Sequence, residues 1–366
     1  MFKIGFIISG FAYSGAEIVL QRYLKNNNMI EPYFFVIYDK QDIIKTLQKE
    51  YGSNKVIPLY IKHKKNIIRY IPIIDIFLLE KKIRKYIEKY SIDVIYANNT
   101  IEALMCSSIA KNANIPSIAH IHDMKTSIKS LIRRYHTKLA LKNYNQLIMV
   151  SNACFKDWNI PKAKVVYNGL EDKYFKNIII DKYRERKIKK FLYIGTLSKR
   201  KGVDILISNI DYFIKNNYSI QFVTKDSNGN YYDKIRRLSE KYPYLFNLKV
   251  NMSEDDVINL IDTNDVLIVP SRHDPLPTVI MEAMARGMIV IGNNVDGIPE
   301  MLSNEFLVYQ QGDMCCKIGE ICRLQNSQLL EISKKLYSIA TIKYRSSNKM
   351  AKVNSIIKNC TLERRL

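Results

Sequence analysis

The stretch VPSRHDPLPTVIMEAMARGMIVIGNNVDGIPE, residues 269–300, contains the end of a strand, a loop, a helix and a second strand. Its apolar run begins at Asp265 (DVLIVPS) and reads as a buried strand. Pro275 and Pro277 then prepare a helix starting near Thr278, because proline is tolerated where the first N–H groups have no partner anyway. Val279, Ile280, Ala283 and Met284 supply one apolar face, and Gly287 is placed to end the helix as a C-cap. MIVIG follows as the next strand. Two strands joined by a helical crossover run parallel, which makes this a βαβ unit.

Working outward, the same alternation fills the chain. FKIGFIIS, YFFVIYD, KVIPLY, DVIYANN, IPSIAHIHD and QLIMVSN read as strands before residue 168, separated by segments with helical periodicity. After a polar, basic stretch at 181–190, KKFLYIG, YSIQFVT, NLKVNMS, DVLIVPS and MIVIGNN repeat the pattern. Two sheets fit 366 residues. The expected organisation is a first Rossmann-like domain at 1–168 and a linker at 169–190. A second Rossmann-like domain follows at 191–335, then a basic helical tail at 336–366 that packs back towards the first. The fold class is α/β, with the two domains facing each other across a cleft.

Bulk properties narrow the function. Hydrophobic residues make up 47% and charged residues 25%, the composition of a folded protein and not of a disordered one. No stretch reaches the ~20 apolar residues needed to span a bilayer, and the opening MFKIGFIISG lacks the parts of a secretion signal. A cytoplasmic protein is expected. The six cysteines show no C-x-x-C spacing, so reduced structural thiols are expected instead of a zinc or redox centre. The net charge is +22, and residues 1–168 carry 26 Lys and Arg against 12 Asp and Glu. Either that half faces something anionic or the charges are merely solvated.

In open α/β sheets ligands bind beyond the carboxyl ends of the strands. The unusual residues cluster there: SGFAYSGAE with Gly10 and Gly15, His122-Asp123, Ser151, GTLSKRKG, SRHDPLPTVIMEA and VDGIPE. Gly15 before a helix suits a phosphate, although a plain tight turn fits equally. Lys199, Arg200 and Lys201 between two glycines can neutralise a diphosphate, or form a solvated charge run. Asp274 and Glu282 offer carboxylates that accept paired hydrogen bonds from vicinal hydroxyls, with Glu300 crowding the same edge.

GTLSKRKGVDIL, VVYNGLEDKYF and DPLPTVIMEAMARGMIVIGNNVDGIPE resemble the retaining glycosyltransferases of family 4, and the likeness runs in order from SGAE through HIHD and VSN to VDGIPE. The resemblance implies the GT-B fold, with acceptor on the first domain and nucleotide sugar on the second. It implies that the E-x7-E pair falls on Asp274, contacting the donor sugar, and Glu282, holding the ribose. Lys201 matches the lysine on the donor diphosphate, His122 the histidine beside the donor sugar, and Gly15 the first glycine-rich loop. Thr196, Lys199, Arg200, Pro275, Leu276, Pro277 and Thr278 complete the donor site. Ser151, Asn168, Gly297 and Glu300 stand behind it.

Three positions depart from the family pattern. Thr196 stands where arginine is usual, Asp274 is one methylene shorter than the usual glutamate, and Asp296 replaces a glycine. Gly297 is expected to keep the backbone freedom needed beside the phosphate.

No two aspartates stand two apart, so a D-x-D metal site is absent from the sequence, and a cofactor-free, metal-independent enzyme is expected. The expected donor is a UDP-sugar. The expected acceptor is a glycan, lipid-linked in bacterial surface polysaccharide synthesis. The segment Ile61–Lys85 interleaves nine basic or histidine side chains with apolar ones, which suits peripheral docking on an anionic inner-membrane face. His120 is expected to point to the face opposite His122 and to be structural. The alternatives are a nucleotide-sugar epimerase of the same fold or a basic binding module. No nucleic-acid motif supports the latter.

Overall fold

The structure is a computed structural model that describes residues 1–10, 15–25, 27–38, 43–59, 73–112, 115–176, 180–185 and 187–362. The chain divides into two compact units, Met1–Gly169 with Ser346–Leu366, and Leu170–Arg345.

The first unit holds strands β1 (Phe2–Ile8), β2 (Ile30–Val36), β3 (Val56–Pro58), β4 (Val94–Ala97), β5 (Ser117–Ile121), β6 (Gln146–Met149) and β7 (Ala163–Val165). They form one sheet in the order β3-β2-β1-β4-β5-β6-β7, and every described pairing is parallel. A parallel sheet buries both faces, and the period of two along a strand feeds each face separately. Ile4, Phe6 and Ile8 enter one core with Val353, Ile356, Ile357 and Cys360 of the C-terminal helix Ser346–Leu362. Ile7 enters the other core with Leu79, Ile83 and Ile87 of the helix Ile73–Tyr90. Each fully buried aliphatic side chain of the C-terminal helix contributes ~1.5–3 kcal/mol, so that helix is part of the first unit's core and not an appendage.

The second unit holds β8 (Lys190–Ile194), β9 (Ser219–Thr224), β10 (Phe246–Val250), β11 (Val266–Val269), β12 (Ile289–Asn293) and β13 (Val308–Tyr309). Their order is β10-β9-β8-β11-β12-β13, again parallel in every described pair. In both sheets the strand order reverses beside the first strand, between β1 and β4 and between β8 and β11. Such switch points are where open α/β sheets leave a crevice for ligands.

Two expectations about boundaries change. Of the expected linker at 169–190, the described residues from Leu170 onward are built into the second unit. Leu170 bridges to Arg345, and Tyr183 is fully buried with its hydroxyl donating to the Asp265 carbonyl (2.5 Å) and accepting from Ile289 N–H (2.9 Å). The Asp265 carboxylate also takes the N–H groups of Lys189 and Lys190, each at 2.8 Å. A polar sequence conceals this packing because one tyrosine and one carboxylate carry it. The tail that packs in the first unit begins at Ser346 and not at 336. The helix Asn326–Lys343 buries Leu329, Leu336 and Ala340 in the second unit, where Ser333 Oγ donates to the Gly287 carbonyl at 2.6 Å.

Half of the basic segment Ile61–Lys85 lies outside the described residues. The described part is turned inward at Leu79 and Ile83, which are 1% and 0% exposed. Among the described residues no helix is long and apolar enough to cross a membrane.

Tyr183→Phe removes one buried donor and leaves the Ile289 N–H without its acceptor, so thermal or denaturant unfolding should show a loss of ~1–3 kcal/mol. A linker residue would show no loss.

Candidate functional site

In the second unit the loops after β8, β11 and β12 meet at the switch point. Gly202 ends the first loop in the left-handed region (φ 72°), and a Cβ there would lie 1.8 Å from the Pro270 carbonyl oxygen. Gly297 in the third loop would place a Cβ 1.9 Å from the Pro275 carbonyl oxygen. Backbone on backbone at this range admits only glycine. The three loops are therefore one packed object.

Their side chains converge in the same place. Lys201 Nζ meets Asp274 Oδ2 at 2.5 Å, with the lysine side chain 22% and the aspartate side chain 8% exposed. Ser271 Oγ lies 3.4 Å from the same oxygen, and Asn293 Nδ2 holds the Ser271 carbonyl at 3.0 Å. The Asp274 N–H donates to Asp296 Oδ2 at 2.7 Å. Glu282 is buried in the helix Thr278–Ala285, whose N-terminus follows Pro277. Lys199 and Arg200 are exposed beside Lys201, and the Arg200 guanidinium donates to the His273 carbonyl at 3.1 Å. Thr196 is exposed and its carbonyl takes the Tyr193 hydroxyl at 2.8 Å. Leu276 and Pro277 are buried, while Pro275, Thr278 and Glu300 are half-buried.

The expected donor-site residues of the second unit thus gather on one sheet edge, whereas Gly15 belongs to the first unit, and one expectation is corrected. Gly297 has φ −88° and uses no backbone freedom; its role is the missing Cβ against Pro275. The left-handed residue is Asp296 (φ 46°), whose short carboxylate spans back to Asp274. Two contributors were not read from the sequence. Arg272 forms a bidentate pair with Asp204 at 2.7 and 2.8 Å and donates to the Lys199 carbonyl at 2.7 Å, which fixes the backbone of the lysine loop. Asp226 accepts the Leu197 N–H from β9's carboxyl end. Both bonds join residues far apart in the chain, and no local spacing signals them.

In the first unit His122 follows β5. The sequence reading placed His120 on the opposite face, but the rings lie 4.2 Å apart, because residues i and i+2 of a strand share a face. His120 Nδ1 bonds the buried Tyr96 hydroxyl at 2.8 Å. The His122 imidazole pKa is pushed down to about 3, first by burial and then by the charge of Lys349. Lys349, on the C-terminal helix, is itself 5% exposed, and burial followed by Arg22 lowers its ammonium to about 7. His122 Nε2 and Asn168 Oδ1 are buried without a hydrogen-bond partner among the described residues. His122 is thus held as a neutral imidazole. Ser151 is spent on structure: its Oγ caps the helix Asn152–Trp158 by accepting from Cys154 N–H at 3.1 Å. Gly15 begins the helix Gly15–Leu24 with nothing within 4 Å of a built Cβ, and residues 11–14 of its loop lie outside the described residues.

Among the described residues, no group of three or more His, Cys, Asp or Glu is placed to hold a metal ion.

The unfolded chain takes up a proton on histidine near pH 6.5, whereas folded His122 does so near 3. Its contribution to stability is therefore lost as pH falls from ~6.5 towards 3. His122→Gln should flatten that part of the stability-against-pH curve, and the His122 ring protons should not titrate by NMR between pH 5 and 8.

Residues 175–315 match the family described as glycosyl transferases group 1. An uncharacterized glycosyltransferase of Methanocaldococcus jannaschii is 29% identical over 60% of this chain and 61% of its own length. The chain thus spans about three fifths of that relative. The Escherichia coli UDP-Gal:alpha-D-GlcNAc-diphosphoundecaprenol alpha-1,3-galactosyltransferase is 23% identical over 69% of this chain and 71% of its own. Among solved structures, Anabaena HepE in complex with UDP superposes with a TM-score of 0.78 at 18% identity, covering 98% of this chain and 100% of that one. The fold is GT-B, and the matched segment within the second unit is similar to group 1 glycosyl transferases.

Proposed function

We propose that the chain is a retaining, metal-independent glycosyltransferase of the family 4 type. It moves a sugar from a UDP-sugar to a lipid-linked glycan during bacterial surface polysaccharide assembly. The observation that carries this reading is the single packed edge on which Lys201, Asp274 and the Gly297 backbone stand together, followed by the helix that holds Glu282, inside the matched segment. UDP in HepE and the lipid diphosphate acceptor named for the E. coli relative support the two substrate classes.

The second unit takes the donor. Lysine has three ammonium donors, so Lys201 holds Asp274 with one and offers the others to the diphosphate, neutralising charge where it grows as the diphosphate leaves. Glu282 accepts from the ribose hydroxyls and Asp274 from the sugar. The first unit takes the acceptor, at the sheet edge that carries the neutral His122. The C1–O bond to the diphosphate breaks while the acceptor oxygen bonds C1 on the same face. The acceptor proton passes to the departing phosphate oxygen.

Incubation with UDP-glucose or UDP-galactose in the presence of a chelator, with and without an N-acetylglucosamine diphosphate lipid analogue, tests this. UDP should accumulate with acceptor, and proton NMR should show an α-linked product. A β-linked product would contradict retention, loss of turnover in chelator would contradict metal independence, and an isomerised sugar without acceptor would point to an epimerase.

A further inference from the structure

The helix Leu131–Lys142 follows β5 and leads into β6 in the first unit. Four of the nine exposed large apolar side chains among the described residues sit on it: Leu131 (73%), Ile132 (72%), Tyr135 (63%) and Leu139 (42%). Their spacing of i, i+1, i+4 and i+8 makes one stripe along the helix. Thr137, Ala140 and Leu141 on the other side are buried and fasten the helix to the unit. The stripe is therefore the outward face of an anchored element.

We propose that this face is where the chain docks on an anionic lipid bilayer. Around the stripe stand Lys125, Lys129, Arg133, Arg134, Lys138 and Lys142, and the sequence has no Asp or Glu from Met124 to Lys156. An apolar stripe flanked by these cations, with Asp157 tied to Thr126 N–H, matches a surface with acyl chains below and phosphates above. Leucine and isoleucine enter the acyl boundary, tyrosine sits at the headgroups, and lysine and arginine stems reach the phosphates. A second copy would set these cations against their own kind. A nucleic acid would meet the cations but give Leu131 and Ile132 no apolar environment.

The place of the helix also fits. Residues 123–130, which connect it to His122, are braced: Trp158 Nε1 donates to the Asp123 carbonyl at 2.8 Å and Thr126 N–H to Asp157 at 2.9 Å. Arg134 donates to the Thr126 carbonyl at 2.8 Å. The first turn therefore stays at the sheet edge that carries His122. Under the function proposed above, a lipid-linked acceptor would be presented beside that edge; docking itself does not depend on that function.

The test is co-sedimentation with vesicles of phosphatidylcholine alone or mixed with phosphatidylglycerol, at low and high salt. The wild type should bind the anionic vesicles and lose binding as salt rises. Leu131→Glu/Ile132→Glu should weaken partitioning roughly tenfold or more with an unchanged melting temperature, since both side chains are exposed. Arg133→Glu/Lys138→Glu should weaken it at low salt. A wild type that binds neither vesicle overturns the proposal, as does an apolar variant that binds as well as wild type. A variant that loses only self-association or DNA binding likewise overturns it.

Discussion

Two backbone contacts hold the second unit's edge together: Gly202 against Pro270 and Gly297 against Pro275. Parallel order places β8, β11 and β12 side by side, and these close approaches, with the hydrogen bonds between the loops, turn three separate loops into one surface. Once the loops touch, the Lys201 ammonium and the largely buried Asp274 carboxylate stand 2.5 Å apart as an ion pair. Arg272 and Asp226 fix the lysine loop from two further strands' ends. The site is preorganised by backbone packing first and by charge second.

The first unit reaches order by another route. Its edge is backed by the C-terminal helix, which returns after the second unit and delivers both apolar core residues and Lys349. Lys349 and burial keep His122 neutral. A neutral imidazole can accept or donate a hydrogen bond to a hydroxyl without bringing a charge to it. One helix thus supports both the core of this unit and the protonation state of its edge.

Much of this was legible in the sequence. β-Branched runs alternating with helical periodicity gave both sheets, and the unusual residues after each strand marked the edges, because parallel strands fix where loops emerge. What stayed hidden depended on pairing at a distance. The packing of Tyr183 with Asp265 looks like a linker until both ends are placed. Arg272 finds Asp204 across 68 residues. The role of Gly297 differs from the expected one because a glycine can be needed for space as well as for φ. His120 shares a face with His122, as the period of two along a strand requires, and the 4.2 Å ring contact makes that plain. The outward stripe of 131–142 has the same periodicity as a core helix, and only exposure separates the two.

The central claim is that Lys201, held on this packed edge, receives the diphosphate of the donor. Calorimetric titration of UDP in the presence of a chelator, into the wild type and Lys201→Met, tests it most directly. The account predicts binding to the wild type and at least roughly tenfold weaker binding to the variant, the scale of one charge-assisted contact. Equal affinity in the two proteins, or no binding to a folded wild type, would contradict it.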